Sequence, residues 1–181
     1  MKSEEIVKIA KKYIGQTETQ NNSGFNDKLF EQRMKDTGWI KGASWCSFFC
    51  ELVWKEAYVG TPIFNEIEKL FSGSATATFK NFDLAKSSGW ETGQTPKPGA
   101  LAVWRLGNGW QGHIGIVIDV HQGKFSSTDI KLSSCETIID EKKFLDAHTA
   151  TVKRNEGNRY FEPYKERLNR YYEIRRNSKD S

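Results

Sequence analysis

The residue of this 181-residue chain that is best suited to covalent chemistry is Cys46. It follows the short run Gly42-Ala-Ser-Trp45 and opens an amphipathic pattern that continues to Ala57, which predicts a loop that leads directly into a helix. The free N–H groups and the positive dipole end of a helix N-terminus favour a thiolate over a thiol. Cys46 is therefore a candidate nucleophile, whereas Cys50, one turn later, is expected to be a small core residue.

A candidate base lies further along the chain. His113 stands at the start of a β-branched apolar run, Gly112-His-Ile-Gly-Ile-Val-Ile118, whereas His121 and His148 lie among polar residues and are expected to be solvated. A thiolate–imidazole pair needs the base within about 3 Å of the sulfur and a third group that orients the ring. The pair Cys46 and His113 therefore indicates acyl-transfer chemistry more strongly than either residue alone.

The elements that must position these two residues differ in type. Helical patterns occupy the N-terminal half, and short apolar strands at 100–104 and 114–120 follow, with a hairpin turn expected at 121–124. Helices followed by meandering strands predict an α+β fold. In this fold the helix that starts at the cysteine packs on a small antiparallel sheet that carries the histidine.

Composition limits the classes of function. The net charge of +4 is compatible with an anionic polymer, but basic residues are not clustered except near the C-terminus, so nucleic acid is not an expected partner. Three cysteines do not suit a disulfide framework, and no cofactor or metal site is expected.

No apolar run reaches the roughly 18 residues of a membrane span. The charged N-terminus lacks the apolar core of a signal peptide. We expect a monomer that is made in the cytoplasm and reaches any external substrate by another route.

Two segments together resemble a known family. The segment from Gly38 to Ala57, which contains Ser-Trp-Cys-Ser-Phe-Phe-Cys, is similar to the cysteine motif of CHAP and NlpC/P60-type peptidoglycan hydrolases, nearest to the phage and prophage branch. The segments Lys97-Pro-Gly-Ala-Leu-Ala-Val-Trp104 and Gly112-His-Ile-Gly-Ile-Val117 resemble the strand pair that carries the histidine in that family. The resemblance covers about residues 1–155, and residues 156–181 are expected to be a charged tail or a closing element of the same domain.

The resemblance implies a papain-like α+β fold and an endolysin-like amidase or endopeptidase that cleaves an amide bond of the bacterial cell wall. Cys46 would attack the amide carbonyl, and His113 would move the proton by way of a thioester intermediate. The residue that orients the histidine would be Glu136 if the hairpin after the histidine strand is longer than usual in the family. It would be Asp129 if that hairpin has the usual length. The asparagine usual in the family is replaced by Ile138 in the first alignment and by Lys131 in the second.

Two tryptophans are candidate substrate contacts. Trp110 lies in the glycine-rich loop before His113, and Trp45 directly precedes Cys46, although Trp45 also suits the core together with Trp39 and Trp54. Two other functions use the same residues. One is a weakened or inactive wall-binding relative, which the missing asparagine would favour. The other is an acyltransferase that uses the same Cys–His pair.

Overall fold

Helices precede strands in the folded chain, as the sequence predicts. The computed structural model describes residues 2–93, 97–105, 112–121, 124–128 and 171–176. Within these residues the helices are α1 (Lys2–Lys12), α2 (Lys28–Asp36), α3 (Cys46–Ala57), α4 (Ile63–Leu70) and α5 (Ala75–Leu84), and short 3-10 turns lie at Gln20–Asn22 and Lys86–Ser88. The strands are β1 (Trp90–Gly93), β2 (Leu101–Arg105), β3 (Gly112–His121), β4 (Lys124–Thr128) and β5 (Tyr171–Arg176). The predicted α+β class is confirmed.

The described strands form one antiparallel sheet in the order β1-β5-β2-β3-β4. Strands β3 and β4 are a hairpin in which His121 pairs with Lys124, where the sequence predicts a turn. Strand β5 comes last in the chain but lies between β1 and β2, with Ile174 paired to both Thr92 and Leu101. A strand from the C-terminal segment therefore belongs to the interior of the sheet.

The core joins the helices to the sheet through aromatic rings. The Trp54 ring of α3 stacks on the Trp90 ring of β1 with centroids 5.6 Å apart, and Phe82 of α5 meets both rings edge-on. Ile114 and Ile116 of β3 belong to the same buried cluster. Helix α3 packs against four other helices and β3, so its position is fixed from several sides.

Helix ends follow the local sequence. Asp27 caps α2 by accepting hydrogen bonds from the N–H groups of Leu29 and Phe30. Gly38, just after α2, has a φ of 89°, which suits glycine better than any other residue. In the described part of the chain, no helix combines the length and the apolar character that a membrane crossing requires.

Candidate active site

Cys46 is the first residue of α3 and is partly exposed. The residue that caps this helix is Trp45, with φ −114° and ψ 0°, and its side chain caps no N–H group of the helix. An indole N–H is a donor only, so it cannot act as the acceptor that an N-cap needs. The position of Cys46 in the first turn of α3, at the positive end of the helix dipole, favours a thiolate.

Cys50 has the opposite environment. Its side chain is fully buried in the aromatic core one turn after Cys46. Burial among apolar side chains disfavours a thiolate, so Cys50 behaves as the structural residue that the sequence predicts.

His113 is the second residue of β3 and is 5% exposed. Because strand side chains alternate, His113 lies on the face of β3 that Gly115 and Val117 share, opposite the face of Ile114 and Ile116. Both faces are buried, which explains the nearly continuous apolar run around the histidine. Gly115 contributes no side chain beside the imidazole, so other groups can approach the ring on that face.

Helix α1 shows how α3 and β3 are aligned. The Lys2 ammonium at the start of α1 donates a hydrogen bond of 2.7 Å to the carbonyl of Ala57, and Tyr13, just after α1, meets the ring of Phe49 at 5.9 Å. Helices α1 and α3 are therefore antiparallel. The end of α3 lies at the start of α1.

The same end of α1 also touches the sheet. A Cβ on Gly99 would come within 2.8 Å of the Cα of Ser3, and the Gly99 N–H donates 2.7 Å to the carbonyl of Val117. The end of α3 and the later part of β3 thus share one end of the molecule. Cys46 lies about 16 Å along α3 from Ala57, and His113 lies about 13 Å along β3 from Val117. Helix α3 packs against β3, so the element that begins with Cys46 and the strand that carries His113 are neighbours.

The predicted third residue is not among the described residues. The described part of β4 ends with Thr128 paired to Ile116, so it stops before it reaches the level of His113. Asp129, Glu136 and Trp110 all lie outside the described residues. Their predicted roles stay predictions.

Trp45 is a core residue in the structure. Its ring is 1% exposed and meets Phe25 and Phe49 edge-on at 5.3 and 6.3 Å. Its Nε1–H donates a 2.6 Å hydrogen bond to Glu18 Oε2. This burial favours the core interpretation of Trp45 and argues against a direct contact with substrate.

The sequence patterns do not predict two polar contacts near the start of α3. Ser47 forms a buried hydrogen bond of 3.0 Å with Thr78 of α5, and the Thr78 hydroxyl bonds both the N–H and the carbonyl of Ser72. Glu18 reaches Trp45 from a loop 27 residues earlier in the chain. Single hydrogen bonds between residues distant in the chain carry no periodic signal, so only the fold reveals these partners.

A buried carboxyl also lies on α3. Burial raises the pKa of Glu51 to about 7; the nearby Lys55 ammonium opposes this increase and the Glu68 carboxylate adds to it. Lys55 itself contacts Glu68 at 2.8 Å, so Glu51 shares its cation with a second acid. Among the described residues, no three His, Cys, Asp or Glu side chains are grouped as a metal site would require.

Comparisons with known proteins identify the family. A CHAP domain model matches residues 37–130, which is just over half of the chain and includes both Cys46 and His113. The chain belongs to the CHAP domain family, and its helices and antiparallel sheet are consistent with the papain-like fold of that family. A second model, a domain of unknown function (DUF6965), matches residues 127–177. The searches of curated proteins and of solved structures gave no match.

Family membership defines the broad activity. A CHAP domain implies a cysteine-dependent amidohydrolase that acts on peptidoglycan. This class of enzyme agrees with a thiol at the start of α3 and a histidine on the neighbouring strand β3.

Proposed function

We propose that this protein hydrolyses an amide or peptide bond of peptidoglycan, with Cys46 as the nucleophile and His113 as the base. The observation that carries the proposal is the packing of α3, which begins with Cys46, against β3, which contains His113. The CHAP match over both residues supports the substrate class.

The reaction follows from the two side chains. His113 takes the thiol proton of Cys46, and the thiolate attacks the amide carbon to form a tetrahedral oxyanion. Collapse of this intermediate breaks the C–N bond, and the imidazolium returns the proton to the leaving amine. Water activated by His113 then hydrolyses the thioester and releases the carboxylic acid and the free thiol. The N–H groups at the start of α3 are suitable donors for the oxyanion.

The identity of the group that orients His113 belongs to the same proposal. We assign this role to Glu136, with Asp129 as the alternative, because the family places an acid or amide on the strand that follows the histidine strand. A carboxylate there would fix the tautomer and stabilise the imidazolium.

The resemblance of the cysteine and histidine segments to phage and prophage enzymes supports a lysin-type role, with the cell wall as the place of action. The bond cleaved would be an amide of the peptide stem or of its attachment to the glycan. Mass spectrometry of the released fragments distinguishes these bonds by the new termini that they carry.

The test is digestion of purified peptidoglycan by the parent and by single variants. We expect Cys46→Ala and His113→Ala each to lower the rate of fragment release on the order of 10³-fold or more, because the two residues act as a unit. Cys50→Ala is the matched control, since it removes a thiol one helical turn away from Cys46, and it should keep most of the activity if folded.

Three results would contradict the proposal. Full activity of Cys46→Ala would show that Cys46 is not the nucleophile. A parent that binds peptidoglycan and releases no fragments would favour the inactive wall-binding relative. Products in which the acyl group is transferred to an added amine in place of water would favour the acyltransferase.

A further inference from the structure

We propose that Glu18 is a positioning residue for Cys46 and acts through the indole of Trp45. This inference rests on the proposed function, since it concerns the nucleophile assigned there. Trp45 is the residue directly before Cys46 and the N-cap of α3, so the orientation of its backbone sets where the helix and its thiol begin. A side-chain bond that fixes Trp45 therefore also fixes Cys46.

The bond between Glu18 and Trp45 is short and shielded. Trp45 Nε1–H donates to Glu18 Oε2 over 2.6 Å, and the ring that carries this N–H is 1% exposed. A hydrogen bond to a carboxylate is stronger than one to a neutral acceptor. A buried N–H that loses its acceptor also carries a desolvation cost. Without Glu18, the indole would have to turn towards another acceptor or water, and its backbone would follow.

The loop that carries Glu18 is itself well ordered. Glu18 forms a β-bridge with Phe25, and hydrogen bonds from Thr19 N–H to the Gly24 carbonyl (2.8 Å) and from Asn26 N–H to the Thr17 carbonyl (3.0 Å) close the loop on both sides. The carboxylate is therefore presented from a fixed backbone. A fixed acceptor can hold the indole in one orientation, whereas a mobile one could not.

The same loop holds the segment before Cys46 at two further points. The Phe25 ring is fully buried and packs on both Trp39 and Trp45, at 5.0 and 5.3 Å. The Gly42 N–H donates 2.8 Å to the carbonyl of Asn22. Ring packing and a backbone hydrogen bond already hold this segment against the loop. The bond to Glu18 therefore mainly fixes the orientation of the Trp45 indole. Its loss should move the thiol without unfolding the protein.

The chain contains a matched control for this bond. Trp90 is 2% exposed, and its Nε1–H donates 2.6 Å to Glu66 Oε1 of α4. The two bonds have the same donor, the same acceptor type and the same length, but the second joins β1 to α4. Glu66→Ala should therefore cost stability in the way that Glu18→Ala does, without displacing Cys46.

The experiment measures two properties of four proteins: the parent, Glu18→Ala, Glu18→Gln and Glu66→Ala. The first property is the pH profile of Cys46 alkylation by iodoacetamide, read at the Cys46 peptide by mass spectrometry. The second is kcat and KM for a soluble peptidoglycan fragment. For Glu18→Ala we expect a higher apparent thiol pKa and kcat lowered about tenfold, with KM little changed, since small misplacements of reacting groups cost rate. Glu18→Gln, which keeps an acceptor oxygen, should restore both.

A further variant separates the bond from the carboxylate. Trp45→Phe keeps an aromatic ring and removes the donor, so it should resemble Glu18→Ala, and the double variant should be no worse than either single one. The proposal is overturned if Glu18→Ala keeps the alkylation profile of the parent, or if Glu66→Ala changes that profile equally. If the parent releases no peptidoglycan fragments, the proposed function fails, and the alkylation profiles alone still decide the role of Glu18.

Discussion

Cys46 and Cys50 lie on the same helix, and their surroundings give them different chemistry. Cys46 is the first residue of α3 and is partly exposed. Cys50 is enclosed by the aromatic core. The sequence alone distinguishes the two by their distance from the predicted helix start. The structure adds that the residue before Cys46 donates a hydrogen bond to Glu18, which no pattern of hydrophobic spacing could show.

Glu51 gives a prediction at the same scale. Its pKa is raised to about 7 in the folded protein by burial, from 4.5 for an unburied carboxyl. Between these values the folded state holds a proton that the unfolded state has released, so stability falls as pH rises through this window. Glu51→Gln removes the titration and should be the more stable protein at pH 8, by on the order of 3 kcal/mol.

Urea denaturation of the parent and of Glu51→Gln at pH 4 and pH 8 tests this prediction. The difference in unfolding free energy should be small at pH 4, where the carboxyl is mostly neutral in both states, and large at pH 8. An equal difference at the two pH values would show that Glu51 does not carry a buried charge.

At the scale of elements, the alignment of α3 with β3 depends on where α1 docks. The start of α1 contacts the end of α3 and the turn before β2, so one helix sets the direction of the other two elements. Sequence periodicity predicts that α1, α3 and β3 exist, because each has a clear apolar face or run. It does not predict their mutual direction, which depends on single contacts such as that between Lys2 and Ala57.

Gly99 provides the test of this docking. It has a φ of 85°, and an added Cβ would lie 2.8 Å from both the Cα and the carbonyl oxygen of Ser3. Gly99→Ala should therefore push α1 away from the sheet in addition to the backbone strain of about 1–2 kcal/mol that a left-handed alanine carries. Gly15→Ala is the control, because Gly15 has a φ of 95° and nothing within 4 Å of its added Cβ.

Thermal unfolding of the two variants checks this prediction. We expect Gly15→Ala to lose only the backbone strain and Gly99→Ala to lose clearly more, along with the rate of Cys46 alkylation. If both variants lost the same stability, the close approach of α1 to the turn before β2 would not matter to the fold.

At the scale of the whole molecule, the sheet is the part that the sequence predicts least. The hairpin of β3 and β4 is local and has a turn signal at 121–124, so it is predictable. Strand β1 is four residues long and carries no alternating pattern, so no sequence pattern predicts it. The segment that contains β5 is expected only to be a charged tail or a closing element, since its residues pair with partners about 67 to 86 positions away. Such distant pairing has no signature in a local window.

The position of β5 predicts a sharp limit for truncation. In the described sheet β5 is the partner of β1 and also pairs with β2, so removal of β5 separates the two strands. A chain that ends at residue 170 should lose the cooperative unfolding transition, whereas one that ends at residue 176 should keep it. Near-ultraviolet circular dichroism during urea titration distinguishes the two. A cooperative transition in the shorter chain would show that β5 is dispensable.

The place of β5 also orders events during protein synthesis. The ribosome delivers the thiol helix and the histidine strand long before it delivers residues 171–176, and the sheet interior stays incomplete until those residues emerge. Folding of this sheet is therefore a late step, since its distant strand pairing must wait until residues 171–176 have been made. A translation product that stops before these residues would contain both Cys46 and His113 without the finished sheet, so we expect activity to depend on the synthesis of β5.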